Sequence, residues 1–574
     1  MPEYLAPGVY PEEVSLRPKS IEGVGTSTTG FVGMTGRGPT GITPPLLTCF
    51  ADFELYYGGL DNLSIGGKSA TNYLAHGARA FFDNGGSRLY VARVLGANAK
   101  PGGVLINTDA ADEDHKVTFA ARTPGGAADP VTHANFSVQL ALSKLATTKA
   151  LAMRQDPGTL VNSGADYFVM GTDPLKTTAG DNGAAFKALD DKAQVSIVTL
   201  SAVMRDASGA VVAEYAGLGL DPAHARYAGL VLGPTPPNTR DALTNPVVLN
   251  LGSKVDTFGL RAAIEKGSGT YALSGGSDGD GPPADTDWDN ALNLLLGLED
   301  ISIIAAPGSS SFERATSDSI NQKLIGSAET RRAYRIAVLD TPPSMEPNDV
   351  RDLKSALDSK YAALYYPWIV VANPLASTDP TQPSTIALPP SGFVCGIYAR
   401  TDIQRGVFKP PANETVTGAI GLQRDVRFGE QEVLNPLGIN CIRSLPNRGF
   451  RVWGARTLSS DPDWTYVNVR RYFLYLEASI DQSSQWAVFE PNGPPLWRQV
   501  RGAIIDFLRN EWISGALIGA TPKEAFYVLC DRSTTMSQND LDNGRMICEI
   551  GVVVVKPAEF VIFRIGQTTI GARD

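Results

Sequence analysis

The sequence predicts a multi-domain protein of mixed α/β and α+β class. It has a central layered α/β domain, a β-rich inserted domain, and a C-terminal α+β domain with extended N- and C-terminal arms. Three observations predict this. The chain has 574 residues, room for roughly three to four domains at ~150 residues each. Strand-like and helix-like runs alternate through its middle, the pattern of parallel βαβ units. Residues 97–240 instead carry short period-two runs separated by Gly-, Ala- and Asp-rich turns.

Residues 1–28 read as an extended arm. Pro2, Pro7, Pro11 and Pro18 interrupt any helix, and Val9, Tyr10 and Val14 are the only strong strand formers. Such a segment is either a tail or an arm that becomes ordered on something else. The first part of the core, 29–96, has a strand at Phe31–Gly33, a helix over Tyr73–Phe82 and an alternating strand over Ser87–Val94. In the inserted domain, 97–240, Phe136, Val138, Leu140 and Leu142 share one face of a strand. Further strands are expected at Tyr167–Val169, Val195–Leu200 and Val211–Tyr215.

The central domain, 241–430, changes to alternating elements. Strands at Ile301–Ala306, Arg335–Leu339 and Leu364–Val371, the last broken by Pro367, are separated by helices at Ser317–Arg332 and Asp349–Leu357. A short helix is expected near Gly392–Arg400. In the C-terminal domain, 431–558, Tyr466–Ile480 carries Val469, Phe473, Leu476 and Ile480 with helical spacing. Pro494-Pro495 opens a second helix. Strands follow at Ala525–Cys530 and Met546–Val555. A last strand, Glu559–Ile565, begins the C-terminal strand and tail, 559–574. It is expected to form a hairpin-like pair with Met546–Val555 through Lys556-Pro557-Ala558.

Composition excludes several classes. Gly 58 and Pro 39 make about 17% of the chain, against ~12% in average proteins, so irregular chain is abundant. Fifty Lys and Arg against sixty Asp and Glu leave a net charge of −10, the wrong sign for coating nucleic acid. Five cysteines with no CxxC fit a reduced compartment rather than a disulfide framework. The N-terminus lacks the apolar run of a secretory signal. No window approaches the ~18 apolar residues that span a bilayer.

Three patterns invite an enzymatic reading and fail on context. Gly275-Gly276-Ser277-Asp278-Gly279 matches G-x-S-x-G, but Asp280-Gly281-Pro282-Pro283 follows where a nucleophile elbow needs a helix. Gly67-Lys68-Ser69 ends like a P-loop, yet residue 62 is Asn and no apolar strand precedes it, so a surface turn is expected. Asp278-Gly279-Asp280-Gly281 has a calcium-loop flavour without the bidentate Glu. The four histidines, 76, 115, 133 and 224, form no metal motif, and His76 reads as solvated or at the core edge.

Long stretches of the chain carry a family resemblance. LNPLGINCIRSLPNRGFRVWGARTLSSDPDWTYVNVRRYFLYLEASI (434–480) resembles the signature stretch of contractile phage tail sheath proteins. FEPNGPPLWRQVRGAIIDFLRNEWISGALIGATPKEAFYVLCD (489–531) and GRMICEIGVVVVKPAEFVIFRIGQ (544–567) continue it. APGVYPEEV (6–14), GFVGMTGRGP (30–39), LSGGSDG (273–279) and LPPSGFVCGIYARTD (388–402) also fit, while 97–240 contributes nothing.

The resemblance implies a non-enzymatic structural subunit without cofactors. It would polymerise as a helix of stacked hexameric rings around an inner tail tube and contract to drive that tube through the target envelope. Implied partners are other copies of the chain, the tube protein, and baseplate and tail terminator proteins. Direct nucleic-acid contact and stable membrane insertion are not implied. Synthesis is expected in the host bacterial cytoplasm, ahead of incorporation into the tail. A sheath of a phage-tail-like bacteriocin or extracellular contractile injection system is the alternative, and a Ser277-dependent hydrolase a distant third. Type VI secretion sheaths are disfavoured, being usually built from two chains.

The resemblance also implies strand exchange between subunits through the terminal arms. The candidates are Val9 and Tyr10 from the N-terminal arm and Phe560, Val561, Ile562 and Phe563 from the last strand. Both faces of that strand are largely apolar, which suits a strand covered on two sides. Arg498 and Arg509 lie 11 residues apart on one helix, so at ~100° per residue they point within ~20° of each other. With Arg501 flanking them, they are the candidate tube-facing stripe.

Overall fold

The computed structural model describes residues 20–560 and 562, apart from 108–111, 126–136, 172–176, 181–185, 187, 206–208, 268 and 378. The chain divides into two compact units. One comprises 27–400 and 411–465; the other comprises the described residues of 1–26, 401–410 and 466–574.

The larger unit is organised by a parallel sheet. Its strands are β1 (Thr29–Gly33), β2 (Leu89–Arg93), β3 (Ile303–Ala305), β4 (Ile336–Asp340), β5 (Ala362–Tyr366) and β6 (Ile439–Leu445). The spatial order is β2-β1-β3-β4-β5-β6, with parallel pairing throughout. Gly449–Val452 then adds an antiparallel strand to β6, and Glu414–Thr415 closes that edge. β1, β4 and β5 are buried at every position, as expected of strands covered on both faces.

Helices α1 (Tyr73–Asp83), α2 (Asp285–Leu296), α3 (Arg314–Glu329), α4 (Pro347–Ser355) and residues 391–400 of α5 (Ser391–Arg405) belong to this arrangement. On one face Trp288 and Leu295 of α2, Ile320 and Leu324 of α3, and Val350 and Leu353 of α4 meet Val32, Ile304, Leu339 and Leu364 of the sheet. Alternate residues serve the other face. Phe31 meets Phe81 of α1 edge to face at 5.8 Å, and the Tyr365 hydroxyl lies 2.6 Å from that of Tyr398 on α5.

The strand expected over Leu364–Val371 divides at Pro367. β5 stays in the parallel sheet, while Ile369–Ala372 pairs with Thr385–Leu388 and Gly421–Leu422 in a separate one. Proline has no N–H to continue a ladder.

The β-rich part of this unit is built on Gln194–Arg205, which pairs with Ser137–Thr148 over its whole length. Val138 and Leu140 are buried and Leu142 partly so, as their alternation predicts. Val247–Leu251 and Thr270–Ala272 also pair into this part, with Val117–Ala121 and Ser137–Thr148. The sequence pattern places the change to alternating elements in the central domain, from 241 on. These two strands return first because Val247, Leu249 and Tyr271 complete the insert's own core.

The smaller unit packs α6 (Val467–Ser483) and α7 (Pro494–Ile513) with an antiparallel pair, β7 (Phe526–Leu529) and β8 (Glu549–Val552). Tyr472 and Leu476 of α6, Trp497, Val500, Ile504 and Leu508 of α7, and Val528 of β7 form its core. The hairpin-like pair is therefore β7–β8. The strand expected over Glu559–Ile565 joins no ladder at its described residues, Glu559, Phe560 and Ile562.

Candidate assembly interface

The smaller unit carries one small sheet and the roots of both terminal segments. The β7–β8 sheet has only two strands, and among the described residues no third strand lies along either outer edge. Side chains alternate across it. Phe526, Val528, Ile550 and Val552 pack into the core. Tyr527 faces out at 49% exposure, its hydroxyl donating to Glu549 at 2.9 Å. Two strands alone are marginal in water, and here the core behind them supplies the support.

Beyond β8 the chain runs extended. The Val553 N–H donates to the Ala525 carbonyl at 2.8 Å, and the Ile518 N–H donates to the Val553 carbonyl at 2.8 Å. Asn468 Nδ2 donates to the Val555 carbonyl at 3.1 Å, and the Tyr466 hydroxyl donates to Glu559 at 3.2 Å. After these tethers, Phe560 is 75% and Ile562 79% exposed. Val561, Phe563, Val9 and Tyr10 lie outside the described residues.

The root of the N-terminal arm is held by side chains far away in sequence. The Glu22 and Val24 N–H groups donate to Ser483 Oγ and Ser479 Oγ at 3.2 and 3.1 Å. A side chain at Gly23 would meet Tyr475 Oη at 2.2 Å, so any larger residue would have to displace the Tyr475 ring. Thr26 Oγ1 donates to Asp402 Oδ2 at 2.7 Å. Arg471 grips both Asp402 oxygens, at 2.9 and 2.6 Å, and donates to the Thr26 carbonyl at 3.0 Å. The Asp402 and Arg471 side chains are each 3% exposed. Burial holds the Asp402 carboxyl above the ordinary range, although Arg471 and Thr26 pull it down. Sequence reasoning missed this clasp, since nothing local links residues 26, 402 and 471.

Arg498 and Arg509 are exposed on α7, opposite the buried arc of Leu496, Val500, Ile504 and Phe507; Ala503 is only half-buried. Arg501 does not share their exposure. It is half-buried, and its charge acts on the Cys530 and Cys548 thiols beside β7 and β8.

The patterns that invited an enzymatic reading resolve as loop structure. Ser277 exchanges backbone hydrogen bonds with Lys100, and its hydroxyl accepts from the Gly279 N–H at 3.0 Å. No helix begins until Asp285. Gly66 and Gly67 adopt positive φ in the turn joining Leu63–Ile65 to Lys68–Ala70. Asp278 accepts from the Ser64 N–H at 2.9 Å.

Among the described residues, no group of three His, Cys, Asp or Glu could hold a metal ion. His76 corrects the expectation: it is 3% exposed, because α1 is buried on several faces. Burial first, then the Arg79 charge, pushes its pKa down to about 4.

A doubly wound sheet offers a ligand crevice where strand order reverses, here between β1 and β3. That crevice is filled. A Cβ at Gly77 would meet Pro307 Cβ at 2.7 Å, and one at Gly392 would meet Gly77 Cα at 2.7 Å, so the backbones of α1 and α5 touch there.

Comparison with known proteins gives these features a context. The family model of the phage tail sheath protein central domain matches residues 282–458. That of the phage tail sheath C-terminal domain matches 459–568, so together they account for half of the chain. The chain belongs to the phage tail sheath family. A protein described as a prophage major tail sheath protein, from Pseudomonas aeruginosa strain UCBPP-PA14, is 30% identical over 273 residues, covering 46% of this chain and 64% of that protein. The tail sheath protein of Vibrio phage KVP40 is 22% identical over 53% of this chain and 47% of its own length. The match thus spans between about half and two thirds of these sheath relatives.

The fold itself extends over nearly the whole chain. The helical sheath of the anti-feeding prophage in its contracted state superposes with a TM-score of 0.55 at 20% identity, covering 99% of this chain and all of that one. A crystal structure of a sheath tail protein from Desulfitobacterium hafniense gives 0.54 at 10% identity, over 96% and 100%. Among the described residues, no helix is long and apolar enough to cross a membrane.

Proposed function

We propose that this chain is the structural subunit of a contractile sheath in a phage or phage-like particle. It polymerises as a helix of hexameric rings around an inner tube and contracts to drive that tube through a target envelope. No catalysis or cofactor is involved. The observation that carries this reading is the two-stranded β7–β8 sheet, which among the described residues has no third strand along either edge, on the unit that also holds the roots of both terminal segments. Strand addition satisfies open edges with main-chain hydrogen bonds, and a head-to-tail contact that does not close on itself generates a helical filament.

In this reading Val9 and Tyr10 of one neighbour, and Phe560, Val561, Ile562 and Phe563 of another, supply the added strands. Arg498 and Arg509 face acidic groups of the tube, with Arg501 beside them. Baseplate and terminator proteins cap the polymer, and residues 97–240 decorate its outside. Negative-stain microscopy of the protein expressed alone tests this. Stacked-ring tubes are expected from the full chain, while a chain lacking residues 1–22 should stay folded and soluble without forming long tubes.

A further inference from the structure

Two cysteines flank the small sheet in a way that assembly does not require. Cys530 follows β7 and Cys548 precedes β8, one step beyond the last paired residues, Leu529 and Glu549. Continuing the register sets them opposite each other. Along an antiparallel ladder, hydrogen-bonded and non-hydrogen-bonded pairs alternate. The Val553-to-Ala525 bond makes that pair a hydrogen-bonded one. Five steps along, an odd number, Cys530 and Cys548 form a non-hydrogen-bonded pair. At such a pair the Cα atoms approach to about 4.5 Å, inside the ~4.4–6.8 Å window in which a disulfide closes without moving backbone.

Their surroundings favour reaction. Both thiols are free and lie on the inward face of the sheet, beside Val528 and Ile550. Cys530 is 3% exposed, and Cys548 is open to solvent on one side. The Cys548 thiol donates to the Cys530 sulfur and, with the Arg501 charge, draws Cys530 below the ordinary thiol range against the effect of burial. The same bond pushes Cys548 up.

We propose that Cys530 and Cys548 are a redox modification site, closing to a cross-strand disulfide at the expense of a low-molecular-weight disulfide such as oxidised glutathione. Cys530 takes the proton of the accessible Cys548 along the bond between them as the Cys548 sulfur attacks one glutathione sulfur and releases one glutathione thiolate. The neighbouring Cys530 thiolate then attacks the Cys548 sulfur and releases the second. Two protein thiols are oxidised, one glutathione disulfide is reduced to two thiols, and the two protons pass to the departing thiolates. The new bond ties β7 to β8 at the end where the 531–547 loop leaves the sheet. That loop is already drawn in by Thr535 Oγ1, which donates to the Ile547 carbonyl at 2.8 Å. A reducing compartment keeps the site open, and transfer to an oxidising medium closes it.

The full-length protein, purified under reductant, is equilibrated with graded mixtures of reduced and oxidised glutathione. It is then quenched by alkylation and mapped by non-reducing peptide mass spectrometry. The expected result is a Cys530–Cys548 cross-linked peptide exceeding glutathione adducts at either residue roughly tenfold, because the neighbouring thiol resolves the mixed disulfide. Cys530→Ser should convert this into a stable adduct at Cys548, and Arg501→Gln should slow closure. A stable adduct at Cys548 in the unsubstituted protein, with Cys530 still alkylatable, would overturn the proposal, as would a lack of reaction at both residues in the folded chain. Should Cys530→Ser fail to fold, the peptide ratio in the unsubstituted protein decides alone. This outcome is independent of tube formation, so it can fail or succeed separately from the assembly reading.

Discussion

Replacing Arg471 by Met tests the clasp at the root of the arm. The substitution keeps the bulk but removes two charge-assisted bonds to Asp402 and one to the Thr26 carbonyl. It leaves a carboxylate that is 3% exposed, with the Thr26 hydroxyl as its remaining clasp partner. Breaking a buried pair on one side costs about 3–5 kcal/mol, because the orphaned charge stays desolvated. The cost depends on pH with a definite sign. The Asp402 carboxyl already titrates above its ordinary range because of burial. A raised folded pKa gives a contribution that is complete below the unfolded value of ~3.9 and is lost as pH rises through the folded value. Without Arg471 that pKa climbs further, so Arg471→Met should be less damaging at pH 5 than at pH 8.

The assay is urea unfolding followed by the fluorescence of Trp486, Trp497 and Trp512, with amide exchange at Glu22 and Val24 reporting the arm. Asp402→Leu on its own removes the buried counter-charge of Arg471 and should also be costly. The double variant exchanges a buried pair for apolar contacts, and should recover most of the loss. Single-variant costs that add to within about 0.5 kcal/mol would refute the reasoning, because that is the behaviour of uncoupled sites.

Two buried groups should give opposite pH signatures in the larger unit. The His76 pKa is pushed down to about 4, so its contribution is present above the unfolded value of ~6.5 and is lost as pH falls from there through the folded value. His76→Leu should remove up to about 3 kcal/mol of acid destabilisation, read as the difference from the parent chain in melts between pH 7 and 4. Burial pushes the Asp340 pKa up to about 7, against bonds from the Ser391 Oγ and N–H at 2.5 and 2.7 Å. Its contribution is present below ~3.9 and lost as pH rises through 7, and Asp340→Asn should flatten that loss, on the order of 4 kcal/mol at most, in the same melts. Charge reversal at both Arg498 and Arg509 should change monomer stability by less than about 0.5 kcal/mol. It should nevertheless impair co-sedimentation with the tube at physiological salt while sparing tube-free polymers.

Much of the fold was legible because burial leaves a periodic mark. The parallel strands read as short apolar runs, and Pro494 marked the start of α7 where a missing N–H is harmless. Val138, Leu140 and Leu142 alternated as a half-buried strand does. What was not legible depends on partners distant in sequence. Glu559–Ile565 has the composition of a strand, but composition cannot supply the neighbour that a ladder needs, and among the described residues none pairs with Glu559, Phe560 or Ile562 in a ladder. His76 was misplaced because Leu74, Ala75, Ala78 and Phe81 are buried around more than one face of a short helix, which one stripe does not capture. Arg501 sits only about 60° from Arg498 on the helical wheel, yet that is enough to bring it beside two thiols. The Thr26–Asp402–Arg471 clasp left no local signal.

The central claim is that neighbouring chains complete the β7–β8 sheet. A cryo-electron-microscopy reconstruction of tubes formed by the purified protein tests it most directly. Two added strands are expected, one along the outer edge of Phe526–Leu529 and one along that of Glu549–Val552. One should come from the N-terminal arm around Val9 and Tyr10 of a neighbour, and the other from the segment around Phe560–Phe563 of a second neighbour. Tubes in which both edges face solvent, or are met only by side chains, would contradict it.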